Sequence, residues 1–165
     1  MPLLRLLTRS MVEQARSDLA SGSLLGWMFA ARSLLAEGVP FDLGRHLYLK
    51  DIYKDTAPEM IVMKSGQAGV SEYCVSRALW SCDRRGMNVL YLLPTLGDIG
   101  DFSQMRIGTA IEASAYLRDV VIEGRQDGKR GSDRVMLKRV RDRWLVLRGT
   151  QVKLGAAQRE RRPGA

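Results

Sequence analysis

Between a short apolar run, Met60-Ile61-Val62-Met63, and a helical pattern beginning near Glu72 lies the octapeptide Lys64-Ser65-Gly66-Gln67-Ala68-Gly69-Val70-Ser71. A strand, a small flexible loop and a helix in that order constrain this chain more than any other feature. Backbone N–H groups of such a loop and of the first helical turn converge on one place, where the helix dipole favours negative charge. The standard phosphate-binding pattern is Gly, four residues, Gly, Lys, then Ser or Thr. Gly69 takes the second glycine and Ser71 the magnesium-binding hydroxyl. Val70 stands where the lysine belongs, and Lys64 stands where the first glycine belongs. The loop thus carries its lysine at the strand end, from which a flexible stem can fold back as a mobile point charge for phosphate. The alternative is a plain strand-to-helix turn with a bystander lysine.

The following residues supply the context that such a loop needs. Val75, Ala78, Leu79 and Cys82 recur at helical spacing and predict one apolar face. Asp83-Arg84-Arg85-Gly86 predicts the helix stop. Val89-Leu90-Tyr91-Leu92-Leu93 is a continuous apolar run, which predicts a strand buried on both faces, and it ends at Pro94-Thr95. Met60 to Leu93 therefore reads as a strand, helix, strand unit with a parallel crossover, whose first turn is where an open α/β sheet holds its ligand.

With those residues in view, the stretch from about Phe41 to Gln158 resembles the ATPase region of tailed-phage terminase large subunits of the GpA type. His46-Leu47-Tyr48-Leu49, the loop with its early lysine, and Tyr91-Leu92-Leu93-Pro94-Thr95 carry the resemblance. Asp101-Phe102-Ser103-Gln104-Met105-Arg106-Ile107 and Leu145-Val146-Leu147-Arg148-Gly149 extend it, in the same order. The family often places its phosphate-loop lysine at the start of the loop, as Lys64 is here. The resemblance implies an α/β fold: part of a P-loop NTPase domain, with a parallel sheet flanked by helices, N-terminal helices and a basic C-terminal β-hairpin. It implies ATP and Mg2+ as cofactors. Lys64 would neutralise phosphate charge, Ser65, Gly66, Gln67, Ala68, Gly69 and Val70 would line the nucleotide, and the Ser71 hydroxyl would hold the metal. Adenine would stack on Phe41, Tyr48 or Tyr53. Double-stranded DNA would be the substrate moved into a capsid, with Arg106, Lys138 and Arg139 as candidate contacts. The terminase small subunit, the capsid portal and further copies of the chain would be partners, in the host bacterial cytoplasm.

Length sets the expected organisation. At 165 residues the chain is one domain of ordinary size, whereas a whole large subunit resembles an ATPase followed by a nuclease. No Asp-Glu dipeptide, the ending of the family's second nucleotide motif, occurs in it. Val120-Val121-Ile122-Glu123 directly follows a helical pattern and is too short to serve. The expectation is a front piece: a helical lead-in over 1–38, an incomplete ATPase domain over 39–158 and a fraying basic tail over 159–165. It would bind ATP weakly and hydrolyse little or none.

Charge adds a second functional class. Residues 124–165 contain 13 Lys+Arg and 4 Asp+Glu, so the net +8 of the chain lies in its final quarter. Such a segment attracts phosphate backbones without regard to sequence and with strong salt dependence, which suits a non-enzymatic nucleic-acid-binding module. A solvated hairpin and tail is the plainer reading, and an inert remnant of a truncated prophage gene is a third. Val135 and Leu137, then Trp144 and Val146, stand at two-residue spacing on either side of Arg141-Asp142 and predict a hairpin with these four on its buried face. Gly124 to Asp133 reads as a polar loop.

Met11 to Ala20 and Leu24 to Leu35 show helical spacing, split by Ser21-Gly22-Ser23. Leu24 to Ala31 is apolar but far short of the ~20 residues that cross a bilayer, and Arg5 interrupts the leucines of a would-be signal core. His46 is the only histidine, which excludes a histidine metal cluster or triad. Cys74 and Cys82 are about 12 Å apart along one helix, beyond disulfide reach, as suits reduced cytosolic thiols. Arg106 belongs to a helix with an apolar stripe of Ile107, Ile111 and Leu117, where it either faces solvent or contacts DNA.

Overall fold

Ser23 starts the first helix, α1 (Leu24–Ala31), by accepting a hydrogen bond from the Gly26 N–H, which satisfies one of the donors that a helix start leaves over. The computed structural model describes residues 22–33, 35, 39–44, 46–122 and 135–150. Within them α1 is shorter than the Leu24–Leu35 pattern. It is apolar nearly all round and buries Leu24, Trp27, Met28 and Ala31, as a helix of that kind must. It packs against α2 (Leu49–Lys54) and α3 (Val70–Asp83). The Met11–Ala20 pattern, the Gly124–Asp133 loop and the 159–165 tail lie outside the described residues.

The α3 stripe is as the spacing predicts: Val75, Ala78, Leu79 and Cys82 are all buried. The chain leaves the helix through Arg84 and turns at Gly86, whose φ of +61° favours glycine. Strand β1 (Val89–Leu93) follows, then α4 (Leu96–Phe102), started by a reciprocal capping box between Thr95 and Asp98. A π-helical turn (Ser103–Gly108), α5 (Thr109–Glu112) and α6 (Ala115–Val120) lead into β2 (Val121–Ile122). The Ile107, Ile111 and Leu117 stripe is buried. The hairpin of β3 (Leu137–Val140) and β4 (Arg143–Gly149) closes the described chain, turning at Arg141 and Asp142 with Arg141 at φ +54°.

These strands form one four-stranded sheet in the order β1-β4-β3-β2. β1 and β4 are parallel, with Val89 opposite Leu145 and Leu93 opposite Gly149. The β3–β4 and β2–β3 pairs are antiparallel. The architecture is therefore α/β with a mixed sheet, which corrects the expectation of a parallel one. Val121 and Ile122 pair with Val140 and Arg139, so that short run is an edge strand of the hairpin rather than the end of a nucleotide motif.

Three further readings need correction. Met60–Met63 is not a strand of the described sheet, and with it the strand, helix, strand crossover is lost. Ile61 and Met63 are 100% and 99% exposed, while Met60 and Val62 pack partly against the core. The run is buried with period-two alternation but pairs with no described strand, and a strand exists only through its ladder. β1 is covered on one face only: Leu90 and Leu92 are 59% and 53% exposed. The hairpin is buried in the opposite phase. Val140, Leu145 and Leu147 are fully buried, whereas Leu137 and Trp144 are exposed. Trp144 to Leu147 are all apolar, so alternation could not fix the phase; α3 and α4, packed against β4, decide it.

A single carboxylate fastens the far end of α3. Asp83, buried, accepts from Trp27 Nε1 at 2.8 Å, from the Tyr116 hydroxyl at 2.8 Å and from Arg141 Nε. It thereby joins α1, α6 and the hairpin turn to the last residue of the helix. The bond to Asp83 holds the Arg141 guanidinium above its ordinary range.

Candidate functional site

The loop runs Lys64–Gly69 and enters α3 through Gly69, the residue before the first helical one, at φ +73°. An added Cβ there would meet Leu49 Cδ1 at 2.9 Å, so the conformation favours glycine and any larger residue must displace the Leu49 side chain. Gln67 also adopts a left-handed φ, +56°, which costs a non-glycine residue about 1 kcal/mol. The loop is braced from outside. The Tyr48 hydroxyl donates to the Ala68 carbonyl at 3.0 Å and lies 2.9 Å from His46 Nδ1. Since Tyr48 has one proton and gives it to Ala68, His46 must donate from Nδ1.

Glycine before α3 leaves the helix start without a side-chain cap. α1, α4 and α6 are each capped by Ser or Thr. α3, the longest helix described, instead opens with first-turn N–H groups that its own carbonyls cannot reach. Together with the dipole of fourteen residues this makes an anion-receptive end. Ser71, in the first turn, is exposed, as are Ser65, Gly66 and Gln67, and an added Cβ at Gly66 would find no atom within 4 Å. The Lys64 amine is exposed, 3.4 Å from the Ser65 carbonyl. Its charge is felt at the half-buried Cys74 thiol, which burial nonetheless pushes up. Val70, in the usual lysine position, is buried in the core and presents nothing to the site.

The aromatic candidates separate. Tyr48 is 52% exposed beside the loop, whereas Phe41 and Tyr53 are buried. Those two belong to a chain of edge-to-face and tilted rings, Phe29–Phe41–Tyr53–Tyr73, with centroids 5.2 to 5.5 Å apart. Burial pushes the Tyr53 hydroxyl up to about 12.

The three basic candidates are not brought together. Arg106 is exposed in the π-helical turn, lining a cavity of about 760 Å³ with Leu93 and Pro94 at the C-terminal end of β1. Lys138 and Arg139 are neighbours on β3 and so face opposite sides of the sheet. Arg139 stacks over Trp144, 5.7 Å from its ring centre, near the other end of the strands.

Spacing did not reveal Arg32 and Glu72. Arg32, 1% exposed, caps the C-terminus of α1, pairs with the Glu72 carboxylate and donates to Ser76 Oγ. A lone arginine inside the apolar Leu24–Leu35 stretch was the available signal, since such a charge is buried only when paired.

These features define an α/β domain with an anion-receptive loop at the head of its longest described helix, the class to which many nucleotide-using ATPases belong. The chain is a member of the phage terminase large subunit gpA ATPase-domain family, which matches residues 48–162. The matched stretch is thus a terminase large-subunit ATPase region. No curated protein and no solved structure matches the chain. Among the described residues no helix is long and apolar enough to cross a membrane, and no group of three His, Cys, Asp or Glu side chains could hold a metal ion.

Proposed function

We propose that this chain carries the ATP site of a packaging motor, with the phosphates seated between Lys64 and the N–H groups of Gly66 to Ser71. The uncapped start of α3 behind a lysine-bearing loop is the observation that carries this reading. Phosphate oxygens would accept from the first-turn amides, Lys64 would fold over them from the Met60–Met63 side, and Tyr48 would stack on the base. The residues fit a phosphate ligand: donors are plentiful, and the acid in the first turn, Glu72, is already paired. Ser71 is the residue that would hold Mg2+, which would supply charge neutralisation to the bound phosphates. Phosphoryl transfer depends on positioning and charge neutralisation, and with no Asp-Glu pair in the chain binding with little or no turnover is expected.

The test is a nucleotide-dependent melt of the 165-residue chain. A ligand at a hundred times its Kd adds about 2.7 kcal/mol of stability. MgATP should raise the melting temperature of the wild type, and Lys64→Ala should remove most of that rise. No shift at millimolar MgATP, or the same shift in the variant, overturns the reading. Multiple turnover abolished by Lys64→Ala would show that binding without turnover is the wrong description.

A second reading concerns DNA. The basic final quarter, with Arg139 exposed on β3, favours salt-sensitive contact with phosphate backbones. Binding of duplex DNA that ignores ATP and survives Lys64→Ala would make a nucleic-acid module the better description.

A further inference from the structure

The first turn of α3 contains its own acid. Glu72 follows Ser71 directly and occupies the third helical position. From there a glutamate ordinarily folds back onto the free amides at the helix start, the groups that the proposed function assigns to phosphate. In this structure Glu72 is turned the other way. Its carboxylate pairs with Arg32 Nη2, Arg32 Nη1 donates to Ser76 Oγ, and Ser76 Oγ donates to the Glu72 carbonyl at 2.7 Å. The arginine is 1% exposed and the glutamate side chain 23%. Arg32 is fixed in turn by its backbone, whose N–H closes α1 on the Met28 carbonyl.

We propose that Arg32 is a positioning residue for the nucleotide site: it draws Glu72 away from the α3 amides and cancels its charge, leaving the helix start free for an anion. This rests on the reading that phosphate binds there. Arg32 itself is shut inside the protein between α1 and α3, so it acts through Glu72 rather than by touching phosphate. Without it, a carboxylate one residue from Ser71 would both repel the ligand and compete for its donors.

A purely structural ion pair and an electrostatic mask predict different things. The mask predicts that the loss grows with the charge of the ligand and that removing the second charge restores binding. The experiment measures the affinities of ATP, ADP and AMP for wild type, Lys64→Ala, Arg32→Met, Glu72→Gln and Arg32→Met/Glu72→Gln, each with a melt to verify folding. Arg32→Met should weaken ATP about tenfold or more, the loss should shrink through ADP to AMP, and the double variant should return within about threefold of wild type. Should Arg32→Met fail to fold, the double variant, which buries no unpaired charge, decides alone: wild-type-like ATP affinity supports the proposal and a tenfold loss overturns it. An equal loss for all three nucleotides, or no loss for any, also overturns it. A wild type that binds no ATP, or binds it independently of Lys64, instead overturns the underlying assignment of the site.

Discussion

Replacing Gly69 by alanine tests the geometry of the loop without reference to any ligand. An alanine held at φ +73° pays about 1–2 kcal/mol for the left-handed region. Its Cβ would also stand 2.9 Å from Leu49 Cδ1. That methyl ends a flexible side chain, but Leu49 is only 4% exposed and packed on all sides, so its displacement adds about 1 kcal/mol. Alanine restricts the unfolded chain more than glycine does, which offsets about 0.4–1 kcal/mol. The net loss is about 2 kcal/mol, or roughly 4–8 °C in melting temperature for a chain of this size. Gly66→Ala is the control, because nothing lies within 4 Å of its added Cβ and its φ is not positive; it should be neutral or slightly stabilising. Urea unfolding with an unchanged slope gives the difference cleanly. If the two variants melt together, Gly69 does not hold the conformation described, and the uncapped start of α3 has no structural basis.

Asp83→Ala should cost about 3 kcal/mol, because three donors lose one buried acceptor; a loss under about 1 kcal/mol in denaturant would show that the cluster is dispensable. Stability should fall in alkali. Burial holds the Cys82 thiol at about 11 against an ordinary 9.0, so the folded chain keeps a proton that the unfolded chain releases. The contribution is complete below about pH 9 and is lost as pH rises towards about 11, an effect on the order of 2 kcal/mol. Tyr53 behaves alike between about 10 and 12, and melts across pH should show Tyr53→Phe flattening only that upper part. Leu145→Ala, in the fully buried phase of the hairpin, should cost about 2–5 kcal/mol. Leu137→Ala should cost under about 1 kcal/mol, and a larger loss at Leu137 than at Leu145 by denaturant titration would return the hairpin to the phase with Leu137 and Trp144 inside.

The sequence made some of this legible. The stripe of α3 could be read because apolar residues at helical spacing stand among polar ones, and the hairpin because Arg141-Asp142 separates two short runs rich in apolar residues. The loop was legible in part: a helix was expected from near Glu72, and it starts two residues earlier, at Val70, directly after Gly69. What resisted reading was settled by distant partners. Met60–Met63 is continuously apolar like a buried strand, but no described neighbour pairs with it. Trp144 to Leu147 could bury either face until α3 and α4 chose one. The π-helical turn around Arg106 leaves the apolar stripe of its helix intact, so spacing gives no sign of it. Arg32 and Glu72 are forty positions apart in sequence, and no local pattern marks one as the partner of the other.

The fastening of Asp83 has a mechanical side. α3 spans about 20 Å, gripped near its front by Arg32 and at its back by contacts to three other parts of the chain. A rod clamped at both ends cannot tip without dragging its clamps. Whatever strain arises where the loop meets the helix must reappear at the indole of Trp27, the phenol of Tyr116 and the bend between the last two strands, far from its origin.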